Sequence, residues 1–178
     1  AFPKRLSLLC DLRLLGADGN EVPDGETGEA CVRGPTLFSG YWNAEATNAE
    51  GFAGGWFHMG DLFRRTPSGY DFVGRSKYLI KSGGENIYPA EIERVLFADA
   101  RVNDAIVVRR PDPQWGEVPV AVIARNDPSL DEQVVMQMCR DALAGYKRPK
   151  AVRFIAMEAF PRSASGKIIR EEVEAMIG

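Results

Sequence analysis

Two regimes of hydrophobic patterning divide this chain. Up to about residue 76, apolar positions come in short runs, at 12–15, 29–33, 62–65 and 70–73, cut by GADGN, PDGETG, RGP, SGYWN, AGGW and TPSGY. Runs of this length bounded by glycine, proline and asparagine predict antiparallel strands joined by hairpins. From Tyr88 the period lengthens. Pro89 suits a first helical position, Ile92, Val95, Leu96 and Ala100 share one face of AEIERVLFADA, and Glu91 and Glu93 suit the first turn. Residues 104–109 and 118–125 then read as strands on either side of PDPQWGE. Residues 131–143 form a helix with Val134, Val135, Met138 and Leu143 inward and Ser129 or Asp131 as cap. Residues 151–156 read as a third strand and 168–177 as a terminal helix. The expected class is α+β, with a boundary in GRSKYLIKSGG: a hairpin-rich part over 1–76, then a small domain over 77–178 with a three-stranded sheet flanked by helices.

Composition narrows the class of protein. With 178 residues, 45% of them hydrophobic, the chain has material for packed cores. A net charge of −3 argues against a nucleic-acid binder, which needs a basic face. Cys10, Cys31 and Cys139 are far apart and form no CxxC pair, so their spacing indicates neither a disulfide framework nor a zinc site, and no metal ligands are assigned. No apolar run approaches the roughly 20 residues of a membrane span. The opening AFPKRLSLLCDLRLL is too interrupted for a signal peptide. The expected location is cytoplasmic. The chain starts without methionine in strand-like sequence, which reads as a piece of something longer.

Candidate chemistry gathers in four stretches. In GWFHMGDLFRR, Gly60 allows close approach and the Asp61 carboxylate can accept two hydroxyl hydrogen bonds, a geometry suited to ribose, although Gly-Asp also suits an ordinary turn. His58, the only histidine, reads as a packed or hydrogen-bonded aromatic beside Trp56 and Phe57. In YDFVGRSKYLIKSGGENIYPAEIE, Arg75 can make a planar bidentate contact. Lys81, Ser82, Gly83, Gly84 and Glu85 form a loop with exposed backbone just before a helix, as a plain hairpin turn also would. LAGYKRPKAVRF gathers Lys147, Arg148, Lys150 and Arg153 into a basic patch, which reads equally as a solvated connection or an anion contact. PRSASGKIIR presents Lys167 behind small residues, a mobile ammonium able to meet oxygens that gain negative charge.

Taken together, GEACVRGPTLFSGYWN, GWFHMGD, GRSKYLIKSGGENIYPAEIE, PDPQWGE, LAGYKRPK and PRSASGKI resemble, in order and spacing, the C-terminal portion of the adenylate-forming superfamily. That superfamily comprises acyl-CoA synthetases, peptide-synthetase adenylation domains and beetle luciferases. The resemblance implies two half-reactions. A carboxylate attacks the α-phosphorus of ATP to give acyl-adenylate and pyrophosphate; a thiol then displaces AMP, after the small domain has swung on a hinge. It implies that Asp61 and Arg75 bind the nucleotide, that Lys77 is the hinge, and that Lys167 is catalytic in adenylation. Lys81 would be catalytic on the face used for thioester formation. Ser82, Gly83, Gly84, Glu85, Trp115, Lys147 and Arg148 would contact CoA.

SGGENIYPAEIE favours a fatty-acid or aryl-acid CoA ligase over a domain that loads a carrier protein, with a carboxylic acid, ATP, Mg2+ and CoA as substrates or cofactors. A luciferase-like oxidase rests on little. Residues 1–76 would close a large adenylating domain, in a barrel-like subdomain. The phosphate loop and acyl pocket belong to the absent remainder of that domain, so the chain alone is expected to be inactive, or to be a non-catalytic C-terminal module. Two departures stand out: Met59 where the family usually has Thr, and Tyr78 where Asp usually follows the hinge residue.

Overall fold

The computed structural model describes residues 4–177, so the first three positions of AFPKRLSLLCDLRLL lie outside the described residues. Two compact units divide the chain, Ala1–Lys77 and Tyr78–Gly178.

In the first unit, strands β1 (Asp11–Leu15), β2 (Thr27–Arg33), β3 (Phe57–Thr66) and β4 (Gly69–Arg75) form an antiparallel meander in that order. The helix α1 (Glu45–Gly51) stands between β2 and β3. It was not predicted from the patterning, and the reason is physical: it buries no residue, so it has no apolar stripe to read. Phe38 beside it meets Tyr41, Phe52 and Phe57 edge-on, with ring centroids 5.0, 5.4 and 5.0 Å apart. The core is thin. Among the described residues of this unit only Leu14, Ala30 and Cys31 are buried hydrophobics, while Leu8 and Trp42 stand open to solvent.

One irregularity matters later. Glu29 pairs with Leu62 and Cys31 with His58, so β3 carries two more residues than β2 over the same interval. The surplus is absorbed at Gly60, whose φ of +67° lies in the left-handed region that glycine enters without penalty.

The second unit has five strands where the patterning predicted three. The two additional ones, β5 (Ile80–Ser82) and β6 (Glu85–Ile87), are three residues each, too short to display an alternation. Gly83 and Gly84, with φ of +58° and +86°, close them into a two-residue hairpin that requires positive φ at both positions. The three predicted strands appear as β7 (Val102–Asp112), β8 (Gly116–Arg125) and β9 (Ala151–Phe154). Strand β8 is the hub: β7 pairs along its length, β5 meets it at Ser82–Gly116, and β9 runs parallel to it from Val120 to Ile123.

Alternation along β7 and β8 builds two cores. Ala105, Val107, Ala121 and Ile123 face α2 (Pro89–Leu96) and α3 (Glu132–Ala142), packing with Ile92, Leu96, Val135 and Cys139. Ile106, Val108, Val120 and Val122 face the other way, with Phe160 and with Val173 of α4 (Arg170–Ile177). A strand covered on both faces is a near-continuous apolar run, and VPVAVIA in β8 is one. The cap of α3 is Asp131, which accepts a hydrogen bond of 2.9 Å from the Val134 N–H.

Because Leu96 is wholly buried between α2 and the sheet, Leu96→Ala should destabilise the second unit by about 2–5 kcal/mol. The measurement is the urea midpoint at unchanged slope. A loss below about 1 kcal/mol would mean that α2 is not packed as described.

Candidate functional site

Strand register brings Asp61 and Arg75 together. They are direct partners across β3 and β4, and Arg75 Nε lies 2.8 Å from Asp61 Oδ1. The pair is close without being aligned as a hydrogen bond: Oδ1 is buried and accepts none among the described residues. Arg75 instead donates to the Met59 carbonyl at 3.2 Å. Burial pushes the Asp61 carboxyl above its ordinary pKa, and the Arg75 charge pulls it back only in part. Arg75, Gly60, Glu29, His58 and the exposed Lys77 line a cavity of about 570 Å³. A hollow of about 670 Å³ around Arg65 and the β3–β4 turn holds none of the predicted site residues.

Glu29 was missed by sequence reading. It lies within GEACVRGPTLFSGYWN but is one of the alternating positions of TGEACVR, with nothing local to mark a role. Its Oε1 accepts the Gly60 N–H at 3.0 Å, so it braces the β3 bulge that places Asp61, while its Oε2 lies 3.1 Å from His58 Nδ1. His58 is thus a hydrogen-bonded, half-buried side chain, also 3.3 Å from Cys31 Sγ. Burial, with the Glu29 charge adding to it, pushes the Cys31 thiol up to about 11.

In the second unit, Lys81 and the Ser82–Glu85 turn are held from below. The Lys81 N–H donates to Glu117 Oε2 at 3.0 Å, and the Gly83 N–H donates to the Trp115 carbonyl at 2.9 Å. Trp115 is in turn fixed by Asp112, whose Oδ1 accepts its N–H at 2.9 Å. Gly83 sits against the indole: a Cβ there would lie 2.6 Å from Trp115 Cε3. Lys81, Gly83, Gly84, Glu85 and Trp115 are exposed, whereas Ser82 is buried. One patch on the surface therefore unites the loop with the tryptophan.

Lys147 and Arg148 are engaged internally. Both oxygens of Glu91 lie 2.8 Å from Lys147 Nζ, and Arg148 donates to the carbonyls of Leu143 and Arg140 at 3.1 and 3.2 Å. Lys150 and Arg153 are the exposed cations of that patch, with Lys150 Nζ 5.9 Å from the Trp115 ring centroid.

Lys167 caps a defined turn. The Ser163 N–H donates to the Lys167 carbonyl at 2.9 Å, the Gly166 N–H to the Ser163 carbonyl at 2.8 Å, and Gly166 takes a φ of +80°. Arg162 pins the base of the turn by donating to the Gly166 carbonyl at 2.9 Å and pairing with Asp104 at 2.6 Å. The Lys167 side chain is exposed, and its ammonium has no ion pair or hydrogen bond among the described residues. Three residues on, Arg170 is anchored by Glu93 at 2.8 Å and the Val107 carbonyl. It also stacks 4.7 Å from the Tyr78 ring, whose hydroxyl donates to Glu171 at 3.2 Å.

Residues 91–167 match the AMP-binding enzyme C-terminal domain. The chain is 44% identical over 174 residues to a feruloyl-CoA synthase of Amycolatopsis, a match covering 97% of this chain and 35% of that protein. It is 42% identical over 170 residues to an indoleacetate–CoA ligase of Aromatoleum aromaticum, covering 94% of this chain and 33% of the relative. It also superimposes, with a TM-score of 0.86 and 34% identity, on an o-succinylbenzoate CoA synthetase from Bacillus subtilis solved with its acyl-adenylate intermediate, over 94% of this chain and 34% of that one. The chain thus spans about a third of the length of the curated relatives it matches.

Asp61 generates a prediction with a definite sign. A carboxyl whose folded pKa is raised favours the protonated form, so its charge opposes folding once pH exceeds the unfolded value, near 4. Asp61→Asn should therefore raise the melting temperature of the chain at pH 7, and the gain should vanish as pH falls below about 4, where wild-type Asp61 is itself neutral. A lower melting temperature for the variant at pH 7 would show that the Arg75 charge, not burial, dominates.

Proposed function

We propose that this chain, which belongs to the AMP-binding enzymes through their C-terminal domain, is the C-terminal third of an acid–CoA ligase that activates a carboxylic acid with ATP and transfers the acyl group to CoA. The observation that carries this reading is Asp61. A buried carboxylate oxygen with no hydrogen-bond donor, beside Arg75 and at a glycine that leaves room for a ligand, is a seat for a ribose hydroxyl. The relatives' names carry aromatic acids, which supports an aromatic carboxylic acid here over a fatty acid.

Residues 1–76 are assigned to the end of the large adenylating domain, in a barrel-like subdomain, and 77–178 to a small mobile domain that turns at Lys77. The thin core of the first unit supports this: three buried hydrophobics among its described residues are few for a unit that stands alone. The second unit, packed on both faces of its sheet, moves as a rigid body.

In the first half-reaction an acid oxygen bonds to the α-phosphorus and the bond to pyrophosphate breaks. Both reactants are anions, so the barrier falls when positive charge is held between them, and no proton need be removed. Lys167 supplies that charge from its pinned turn. In the second, the thiol of CoA attacks the acyl carbonyl and AMP leaves. Lys81, Ser82, Gly83, Gly84 and Glu85, with Trp115, form the surface proposed to line the path of the thiol. Lys147 and Arg148 could meet the nucleotide end of CoA only in exchange for their present partners. Mg2+ requires an all-oxygen shell. Among the described residues the group of His, Cys and carboxylate side chains close enough to share an ion includes a thiol and an imidazole, so these residues do not fit Mg2+ and no step is assigned to it.

Two variants of the full-length enzyme separate the faces. Lys167→Ala should slow acid-dependent exchange of pyrophosphate into ATP by about 10²–10³-fold, while thioester formation from supplied acyl-adenylate changes little. Equal loss in both steps would contradict the assignment. Gly83→Ala, which forces a strained φ and drives a methyl into Trp115, should do the reverse, costing the thioester step about 10²-fold. Slower adenylation with normal thioester formation would remove the Lys81–Glu85 loop from the second half-reaction.

A further inference from the structure

Glu29, Cys31 and His58 bring a carboxylate oxygen, a sulfur and a ring nitrogen within 4.8 Å of one another. The strand geometry that does so is simple. Cys31 and His58 are opposite each other across β2 and β3, and Glu29, two positions from Cys31, lies on the same face of β2. The bulge in β3 then lets the Gly60 N–H take one oxygen of Glu29, which turns the other toward His58.

His58 Nδ1 is the meeting point, 3.1 Å from Glu29 Oε2 and 3.3 Å from Cys31 Sγ. A ring nitrogen carries either one proton or one lone pair. It cannot donate to the carboxylate and accept from the thiol at the same time. With Nδ1 protonated, its hydrogen serves Oε2 and leaves Sγ a weak acceptor at most; with a cation at the centre, all three groups act as lone-pair donors.

We propose that Glu29, Cys31 and His58 form a binding site for a thiophilic divalent transition-metal ion of the zinc type, with the Cys31 thiolate, His58 Nδ1 and Glu29 Oε2 as ligands. Tetrahedral zinc bonds of about 2.0–2.3 Å separate ligand atoms by roughly 3.3–3.6 Å, so the two distances at His58 Nδ1, 3.1 and 3.3 Å, need open by only a few tenths of an ångström, with the carboxylate oxygen and the sulfur within 4.8 Å of each other. The sulfur–nitrogen–oxygen set excludes magnesium and calcium, which take oxygen shells, and suits zinc, cobalt or nickel. Gly60 N–H on the second carboxylate oxygen is the outer contact that orients a ligand. Glu29 and His58 line the cavity of about 570 Å³, which gives the ion an entry path and leaves its fourth position to water. The thiol is protonated in the free site, so binding forms the metal–sulfur bond and releases that proton to solvent. The absence of CxxC spacing hid this site, since it depends on strand register.

Cobalt(II) titration of the reduced full-length protein tests the proposal without nucleotide or acid. One equivalent should bring up thiolate-to-cobalt charge-transfer absorption with intense tetrahedral d–d bands, and one equivalent of zinc should abolish both. The signal should persist in Cys10→Ser and vanish in Cys31→Ser. His58→Gln and Glu29→Gln should each weaken cobalt binding at least about tenfold, with the fold checked by far-ultraviolet circular dichroism. These two variants keep the test decisive should Cys31→Ser not fold. Absence of the charge-transfer band, its persistence in Cys31→Ser, or unchanged affinity in His58→Gln would each overturn the site.

Discussion

Double-sided burial of the β7–β8 hairpin is the constraint from which the second unit follows. Because Ala105 and Val107 point one way and Ile106 and Val108 the other, each face must be covered by different helices. That requirement fixes α2 and α3 on one side and α4 on the other, and with α4 the turn that precedes it. Two charged links lock the arrangement where apolar packing alone would allow sliding. Glu93 accepts from both the Val107 N–H and Arg170, so α2, β7 and α4 share one carboxylate. Arg162 ties the Lys167 turn to Asp104 in β7. Pairs of this kind, half-buried and hydrogen-bonded, serve position more than stability.

The first unit works on a different principle. Among the described residues its sheet buries few apolar side chains, and its most exact feature is a defect in β3. Gly60 absorbs the surplus residues, Glu29 braces its N–H, and Asp61 is thereby held beside Arg75 with an oxygen unsatisfied. An unsatisfied buried oxygen costs stability, and the ribose hydroxyl proposed above would supply the missing donor.

Legibility in the sequence followed the size of the physical signal. Strands β7 and β8, with α2 and α3, show in periodicity because each buries many apolar side chains. The β5–β6 hairpin does not, being only three residues a side, and α1 does not because it buries nothing. Asp61, Arg75, Lys81 and Lys167 stood in motifs and could be named. Glu29 and Glu117 lie within GEACVRGPTLFSGYWN and PDPQWGE but could not be given a role, since a bracing carboxylate is defined only by which strand lies opposite. Lys147 shows the converse: its charge was visible, but Glu91, the partner that occupies it, is 56 residues away.

The turn that carries Lys167 bears on how a two-step reaction could be run. Small, flexible residues suggest a lysine that arrives and departs by loop motion. The hydrogen bonds from Ser163 and Gly166, with Arg162 clamped between the turn and β7, leave the side chain free but hold the backbone. A lysine side chain alone reaches only a few ångströms. If Lys167 serves one half-reaction and the Lys81–Glu85 surface the other, the exchange therefore requires the whole second unit to turn, with the change in φ and ψ concentrated near Lys77. Tyr78, gripped by Arg170 and Glu171 at the start of α4, makes the first residue of that unit part of its rigid body. The hinge proposed at Lys77 would therefore end at Tyr78 on the side of the second unit.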